Sequence, residues 1–263
     1  MKKARIALIQ LDTAYGDPKQ NIDRMKKHLV NLQNENIDLI VFPELWTTGY
    51  DLTSIQKKEF SQDEEDCYAF ITKWAKKLKS YIVAGSMPVL KNNKLYNSSL
   101  VFDHTGNLVT SYDKAHLIPL LNEHLTFHPG STRKSFNFLE ETIGLSICYD
   151  IRYPEWIRPY AVDGASALVT PAQWPEKRIG HWKALLIARA IENQQYIFAC
   201  NRFGTDEAGH FGGTSLIIDP WGTILAEGGK TEETIIADVD FDEVKRVRKE
   251  LPALSGRRPH LYE

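Results

Sequence analysis

The chain has 263 residues, 43% hydrophobic and 25% charged, enough apolar material for one large α/β core. Its 32 basic and 34 acidic side chains leave a formal net charge of −2, which supplies no electrostatic footprint for nucleic acid or an anionic membrane. The apolar run after the basic start, Ile6 to Leu11, is too short for a secretory core or for a spanning helix of about 18 residues, so a cytoplasmic protein is expected.

Short β-like runs alternate with longer amphipathic ones. Arg5–Gln10 reads as a strand, and Lys19–Asn34, after Asp17-Pro18, has helical spacing at Ile22, Met25, Leu29 and Leu32. Asp38–Phe42 is a short apolar strand that stops at Pro43, Glu64–Lys79 a helix with Phe70, Trp74 and Leu78 on one face, and Tyr81–Gly85 a buried strand. Leu95–Asp103 and Leu108–Tyr112 read as a hairpin around Thr105-Gly106. Thr142–Ile147 is a strand ending at Cys148, and Pro154–Val162 a helix with proline in its first turn. Ala165–Thr170 is a strand, Ile179–Gln194 a helix and Tyr196–Cys200 a strand. Thr214–Asp219 and Thr223–Glu227 flank Pro220-Trp221-Gly222, Ile235–Val239 adds a last strand, and Asp242–Glu250 is a charged helix. No repeat or linker interrupts the pattern, which predicts one domain over 1–263 with a tail from about Leu251. Alternating strands and helices together with hairpins imply mixed sheets covered by helices.

Cys67, Cys148 and Cys200 are odd in number and lack CxxC spacing, so neither a disulfide framework nor a zinc site is suggested. Cys200 sits inside an apolar strand and Cys67 on a helix, as packed cysteines do. Cys148 differs: a buried strand delivers it to a sharp turn with a helix soon after. That geometry suits a nucleophile with free backbone N–H groups beside it, although position alone also fits a core cysteine. A free thiol titrates near about 8.5 and needs a base or cation nearby for catalysis. Glu44 and Lys114 stand at comparable strand ends, and each taken singly also fits a solvated charge. Asp150 and Arg152, just past Cys148, are read as bracing its turn.

The stretches Phe42-Pro43-Glu44-Leu45-Trp46, Tyr112-Asp113-Lys114-Ala115-His116-Leu117 and Ile147-Cys148-Tyr149-Asp150-Ile151-Arg152-Tyr153-Pro154-Glu155 resemble, in order, the signature blocks of the nitrilase superfamily of carbon–nitrogen hydrolases. Arg189–Asn193 and Asp219–Gly222 are also typical of it. The resemblance spans the chain from the first strand to about Val239. It implies an α/β four-layer αββα sandwich with two mixed β-sheets. It also implies Glu44 as general base, Lys114 as oxyanion-stabilising cation, Cys148 as nucleophile and Glu123 as a second glutamate. The backbone N–H of Tyr149 is expected at the oxyanion. No metal or organic cofactor is implied, and relatives pair as homodimers.

Two further stretches, Trp46–Tyr50 and Pro171–Arg178, together with His181-Trp182, resemble the omega-amidase branch, which deaminates 2-oxoglutaramate and 2-oxosuccinamate. Such a substrate carries a carboxylate away from its amide, which an arginine pairs well. Arg178 is the expected anchor, with Tyr50 and Trp174 as pocket walls. The alternatives are an N-carbamoyl-amino-acid hydrolase, an aliphatic amidase or a nitrilase with the same residues, and, in another class, an inactive scaffold. A silent scaffold is expected to have lost at least one of Glu44, Lys114 or Cys148, and all are present.

Overall fold

The computed structural model describes residues 2–57 and 61–262. In β1 (Lys3–Gln10) Ile6 and Leu8 face one way, Ala7 and Ile9 the other, and all four are buried. A strand apolar on both faces belongs in the middle of a layered structure. There follow α1 (Pro18–Asn31), β2 (Leu39–Val41), α2 (Leu52–Lys57), α3 (Ser61–Leu78), β3 (Tyr81–Val83) and β4 (Met87–Lys91). Next come β5 (Lys94–Phe102), β6 (Leu108–Asp113), β7 (Ser135–Phe138), β8 (Glu141–Leu145), α4 (Pro154–Val162) and β9 (Ala167–Ala172). The chain continues through α5 (Ile179–Asn193), β10 (Tyr196–Asn201), β11 (Phe203–Asp206) and β12 (Gly209–Gly212). It ends with β13 (Leu216–Ile218), β14 (Ile224–Glu227), β15 (Glu233–Asp240) and α6 (Asp242–Glu250).

Among the described residues the strands form two large mixed sheets and one small hairpin. The first runs β15-β1-β2-β3-β5-β4, with β6 on the other edge of β5; the second runs β14-β13-β10-β9-β8-β7. Each has a parallel centre, β1-β2-β3 and β8-β9-β10, flanked by antiparallel strands. The sheets pack face to face, with Ile6, Leu8 and Val41 in one core with Val169 and Phe198. Met25 and Leu29 of α1 and Ile71 and Trp74 of α3 cover the outer face of the first sheet against Ala7, Ile9 and Ile40. Ile157 of α4 and Trp182 and Leu186 of α5 cover the second. The result is the four-layer αββα sandwich. No helix among the described residues is long and apolar enough to cross a membrane.

The principal elements fall where the periodicity places them, α4 and α6 to the residue. Four strands and one short helix were not anticipated: β4, β7, β11, β12 and α2. In β7 the signal is present, since Phe136 and Phe138 are buried while Ser135 and Asn137 are exposed, a period-2 pattern over only four residues. β11 and β12 are a glycine-containing hairpin whose composition reads as loop. The expected strand over 142–147 stops pairing at Leu145, because the chain there leaves the sheet to form the turn at Cys148.

Candidate active site

Glu44 stands three residues beyond β2, in a turn fastened from two sides. Ser86 N donates to the Pro43 carbonyl at 3.2 Å, Trp46 N to the Ser86 carbonyl at 3.2 Å, and Trp46 Nε1 to the Ala84 carbonyl at 3.0 Å. Gly85, at φ 54°, permits this approach: a β-carbon there would lie 1.9 Å from the Pro43 oxygen. From the second sheet, Gln173 N donates to Glu44 Oε2 at 2.9 Å and Gln173 Nε2 to the Glu44 carbonyl at 2.7 Å.

Cys148 follows β8 with φ 45°, a left-handed conformation rare for a side chain larger than glycine. Such strain persists only where neighbours over-determine it. Asp150 does so: its carboxylate accepts from Ile147 N at 2.9 Å, His116 N at 3.0 Å, His116 Nδ1 at 2.7 Å and Tyr112 Oη at 2.6 Å. These bonds tie the cysteine turn to the chain on either side of Lys114. Among the described residues no acceptor meets the Tyr149 N–H, which opens the short 3₁₀ turn Cys148–Arg152.

Lys114, Glu44 and Glu123 are wholly buried. Lys114 Nζ lies 2.8 Å from Glu44 Oε1 and 2.9 Å from each oxygen of Glu123. Glu123, just after the left-handed Asn122, also accepts from Ile118 N at 2.8 Å. Burial works against the lysine charge, but Glu123 and Glu44 outweigh it and hold the ammonium above the usual lysine range. Burial, reinforced by the charge of Glu44, raises the Cys148 thiol well above the ordinary cysteine value, with Lys114 opposing. Burial likewise raises Glu123, against the pull of Lys114. The resting site therefore holds a neutral thiol beside a carboxylate and a fixed cation.

The structure thus brings together Glu44, Lys114, Glu123 and Cys148. Cys148 also opens onto a cavity of about 400 Å³, lined by Tyr149, Arg152, Gln173, Trp174 and Arg178 and roofed by Ile118–Leu121. Trp174 lines the cavity, and its Nε1 donates to the Arg178 carbonyl at 2.8 Å. Tyr50 is not among the residues lining that cavity. It is buried beside Leu45, Ile55 and Phe127, and its hydroxyl donates to Glu44 Oε1 at 2.9 Å and stands 3.3 Å from Lys114 Nζ. The phenol is drawn there because its hydroxyl finds charged partners while its ring stays among apolar side chains. Asp150 braces the cysteine turn as expected, but Arg152 does not pair with it. The guanidinium of Arg152 instead lies over Trp174, 4.7 Å from the ring centroid, and 5.5 Å from that of Tyr149. Its Nε is buried without a hydrogen-bond partner among the described residues.

Sequence reasoning missed Asn97 and Gln173. Both are buried and both donate to Glu44, Asn97 Nδ2 at 3.0 Å. The available signal was polarity out of place: Asn97-Ser98-Ser99 interrupt an apolar strand and are fully buried.

The chain matches the carbon–nitrogen hydrolase family model over residues 5–249, and it belongs to that family, the nitrilase superfamily, within its omega-amidase-like branch. It is 42% identical to a 2-oxoglutaramate amidase of Bacillus subtilis (strain 168), over 99% of this chain and 100% of the relative. It is 36% identical to a 2-oxoglutaramate amidase of Paenarthrobacter nicotinovorans, over 86% and 80%. Among solved structures it resembles Nit3 of Saccharomyces cerevisiae, a member of branch 10 of the nitrilase superfamily, with a TM-score of 0.89, 29% identity and 97% of both chains covered.

Proposed function

We propose that this chain is a cysteine-dependent amidase that hydrolyses the terminal amide of a small carboxylate-bearing substrate of the 2-oxoglutaramate or 2-oxosuccinamate type. One observation carries the reading. A buried thiol beside a buried carboxylate opens onto a cavity that Arg152 and Arg178 also line. The first pair performs acyl transfer, and the arginines suit the distal carboxylate. The two 2-oxoglutaramate amidases support the same substrate class.

Glu44 Oε1 already accepts from Lys114, Tyr50 and Asn97, whereas Oε2 accepts only from Gln173 N among the described residues. The free acceptor capacity is at Oε2, and the thiol proton goes there. The Cys148 sulfur attacks the amide carbon, and the carbonyl electrons move onto oxygen. Lys114 Nζ and Tyr149 N–H stabilise that oxyanion; removing one such donor typically costs about 10²–10³ in rate. Glu44 then protonates the amide nitrogen, the C–N bond breaks, and ammonia leaves a thioester on Cys148. Glu44 next removes a proton from water, which attacks the thioester carbon. Collapse expels the thiolate, which recovers its proton from Glu44. Glu123 keeps Lys114 charged and in place throughout.

Replacing Cys148 by Ala is expected to abolish ammonia release while leaving the melting curve close to wild type; turnover by the alanine variant at a wild-type rate would refute the mechanism. The carboxylate assignment has its own test. Arg152→Ala and Arg178→Ala are each expected to lower kcat/KM for 2-oxoglutaramate by at least about tenfold, the scale of one charge-assisted pair. A neutral short amide is expected to suffer little. Equal losses on both substrates would remove the anchor role. We also propose a homodimer through the outer faces of α4 and α5 and the adjoining β13–β14 turn, where Ile191 of α5 and Trp221 of the turn stand about half exposed and Gly222 packs against Ile191.

A further inference from the structure

Asn97 occupies an unusual position for a strand residue. It is fully buried in β5, and its Nδ2 lies 3.0 Å from Glu44 Oε1 and 3.1 Å from Glu123 Oε1. The amide orientation is decided by chemistry, because turning it over would set its oxygen against two carboxylate oxygens. Its Oδ1 is consequently left buried with no hydrogen-bond partner among the described residues. A buried orphan acceptor is costly and normally selected against. Its retention marks the NH₂ end as the part the fold needs.

We propose that Asn97 is a positioning residue whose two amide hydrogens are divided between Glu44 and Glu123, setting the spacing of the two carboxylates on either side of Lys114. This rests on the proposed roles of those three residues and deepens them. Lys114 alone does not fix that spacing. It is a point charge on a flexible stem, free to draw both carboxylates toward itself. The planar amide offers two donors at a fixed angle. Its backbone joins the same frame, since Lys114 N donates to the Asn97 carbonyl at 2.9 Å. One residue thus registers the base, the cation and the second glutamate together. The bonds also favour the ionised carboxylates, the form in which Glu44 accepts a proton from the thiol. The ionisable groups facing the two carboxylates are Lys114, Tyr50 and Cys148.

The test compares wild type, Asn97→Leu (similar shape, no donor) and Asn97→Ser (one donor, smaller) in pH profiles of ammonia release. The amide used is whichever of 2-oxoglutaramate and a short neutral series wild type hydrolyses best. In Asn97→Leu kcat is expected to fall by at least about tenfold with KM changed less than about threefold, because the loss falls on the base and not on the cavity. The acidic limb of kcat/KM is expected to move up by about one pH unit, since losing a donor raises a carboxylate's proton affinity. Asn97→Ser is expected to fall between the two, and its smaller side chain gives the measurement a second route should the leucine variant not fold. A wild-type limb and kcat in a folded variant would overturn the proposal, as would a loss uniform across pH, which is what a packing role produces. Wild-type silence toward 2-oxoglutaramate with turnover of another amide would overturn the substrate assignment alone.

Discussion

At the residue scale the site is a problem of buried charge. Glu44, Lys114 and Glu123 put two carboxyl groups and an amine in a place with no exposure, an arrangement sustained by neutral donors: Tyr50 Oη, Asn97 Nδ2, Gln173 N and Ile118 N. The thiol pays no ionisation penalty at rest, because burial and then Glu44 hold it protonated. Replacing Glu44 by Gln removes a negative neighbour and leaves Lys114 beside the sulfur. The Cys148 pKa is therefore expected to fall, moving the midpoint of alkylation by iodoacetamide to lower pH. Ammonia release is expected to drop by at least about 10² as the base is lost. A midpoint that rises or stays put would show that the carboxylate does not act on this thiol. Glu44, Lys114 and Cys148 were singled out in the sequence because each is a reactive side chain at a strand end, within a recognisable block. Asn97 and Gln173 were not singled out, and the partners of Tyr50 and Arg152 were not foreseen: what an amide, a phenol or a guanidinium does depends on the partner that packing brings to it.

At the element scale, strand ends decide the chemistry. β2, β8 and β9 deliver Glu44, Cys148 and Gln173 from their carboxyl ends, and β6 delivers Lys114. The Asp150 carboxylate joins two of these ends, since its donors Tyr112 and His116 flank Lys114 while Ile147 precedes Cys148. Asp150→Ala leaves the buried Ile147 N–H and Tyr112 O–H unpaired, at a cost of about 3 kcal/mol. That corresponds to a fall in Tm of about 6–12 °C for a chain of this size, readable by calorimetry; an unchanged Tm would show that the network does not hold the turn. A second strut reaches Gln173: Arg202, fully buried, donates to Gln173 Oε1 at 2.9 Å and to the Thr13 carbonyl at 2.6 Å, and pairs with Asp206 at 2.6 Å. β11, which holds Asp206, was invisible to periodicity, and the strut with it. Long helices and apolar strands announce themselves by repeat; short hairpins held by polar contacts do not.

At the scale of the whole molecule, the site lies where the two sheets meet. The first supplies Glu44, Asn97 and Lys114 and the second Cys148 and Gln173, so neither sheet carries the chemistry alone. The dimer proposal belongs to this scale: sedimentation is expected to show a species of about twice the 30.0 kDa chain, and Ile191→Lys to shift it toward the monomer by burying an unpaired charge. A wild-type monomer would remove that interface. The layered fold was legible because alternation and block order agree; the proposed partner face was not, since an apolar residue on an outer helix reads alike whether it meets solvent or a second chain. The most direct test of the central claim is the intact mass of the enzyme acid-quenched during turnover of 2-oxoglutaramate, followed by peptide mapping. A gain of one acyl group, located on Cys148 and absent from Cys148→Ala, is predicted. Ammonia release with no adduct accumulating under any quench, or an adduct mapped to another residue, would contradict it.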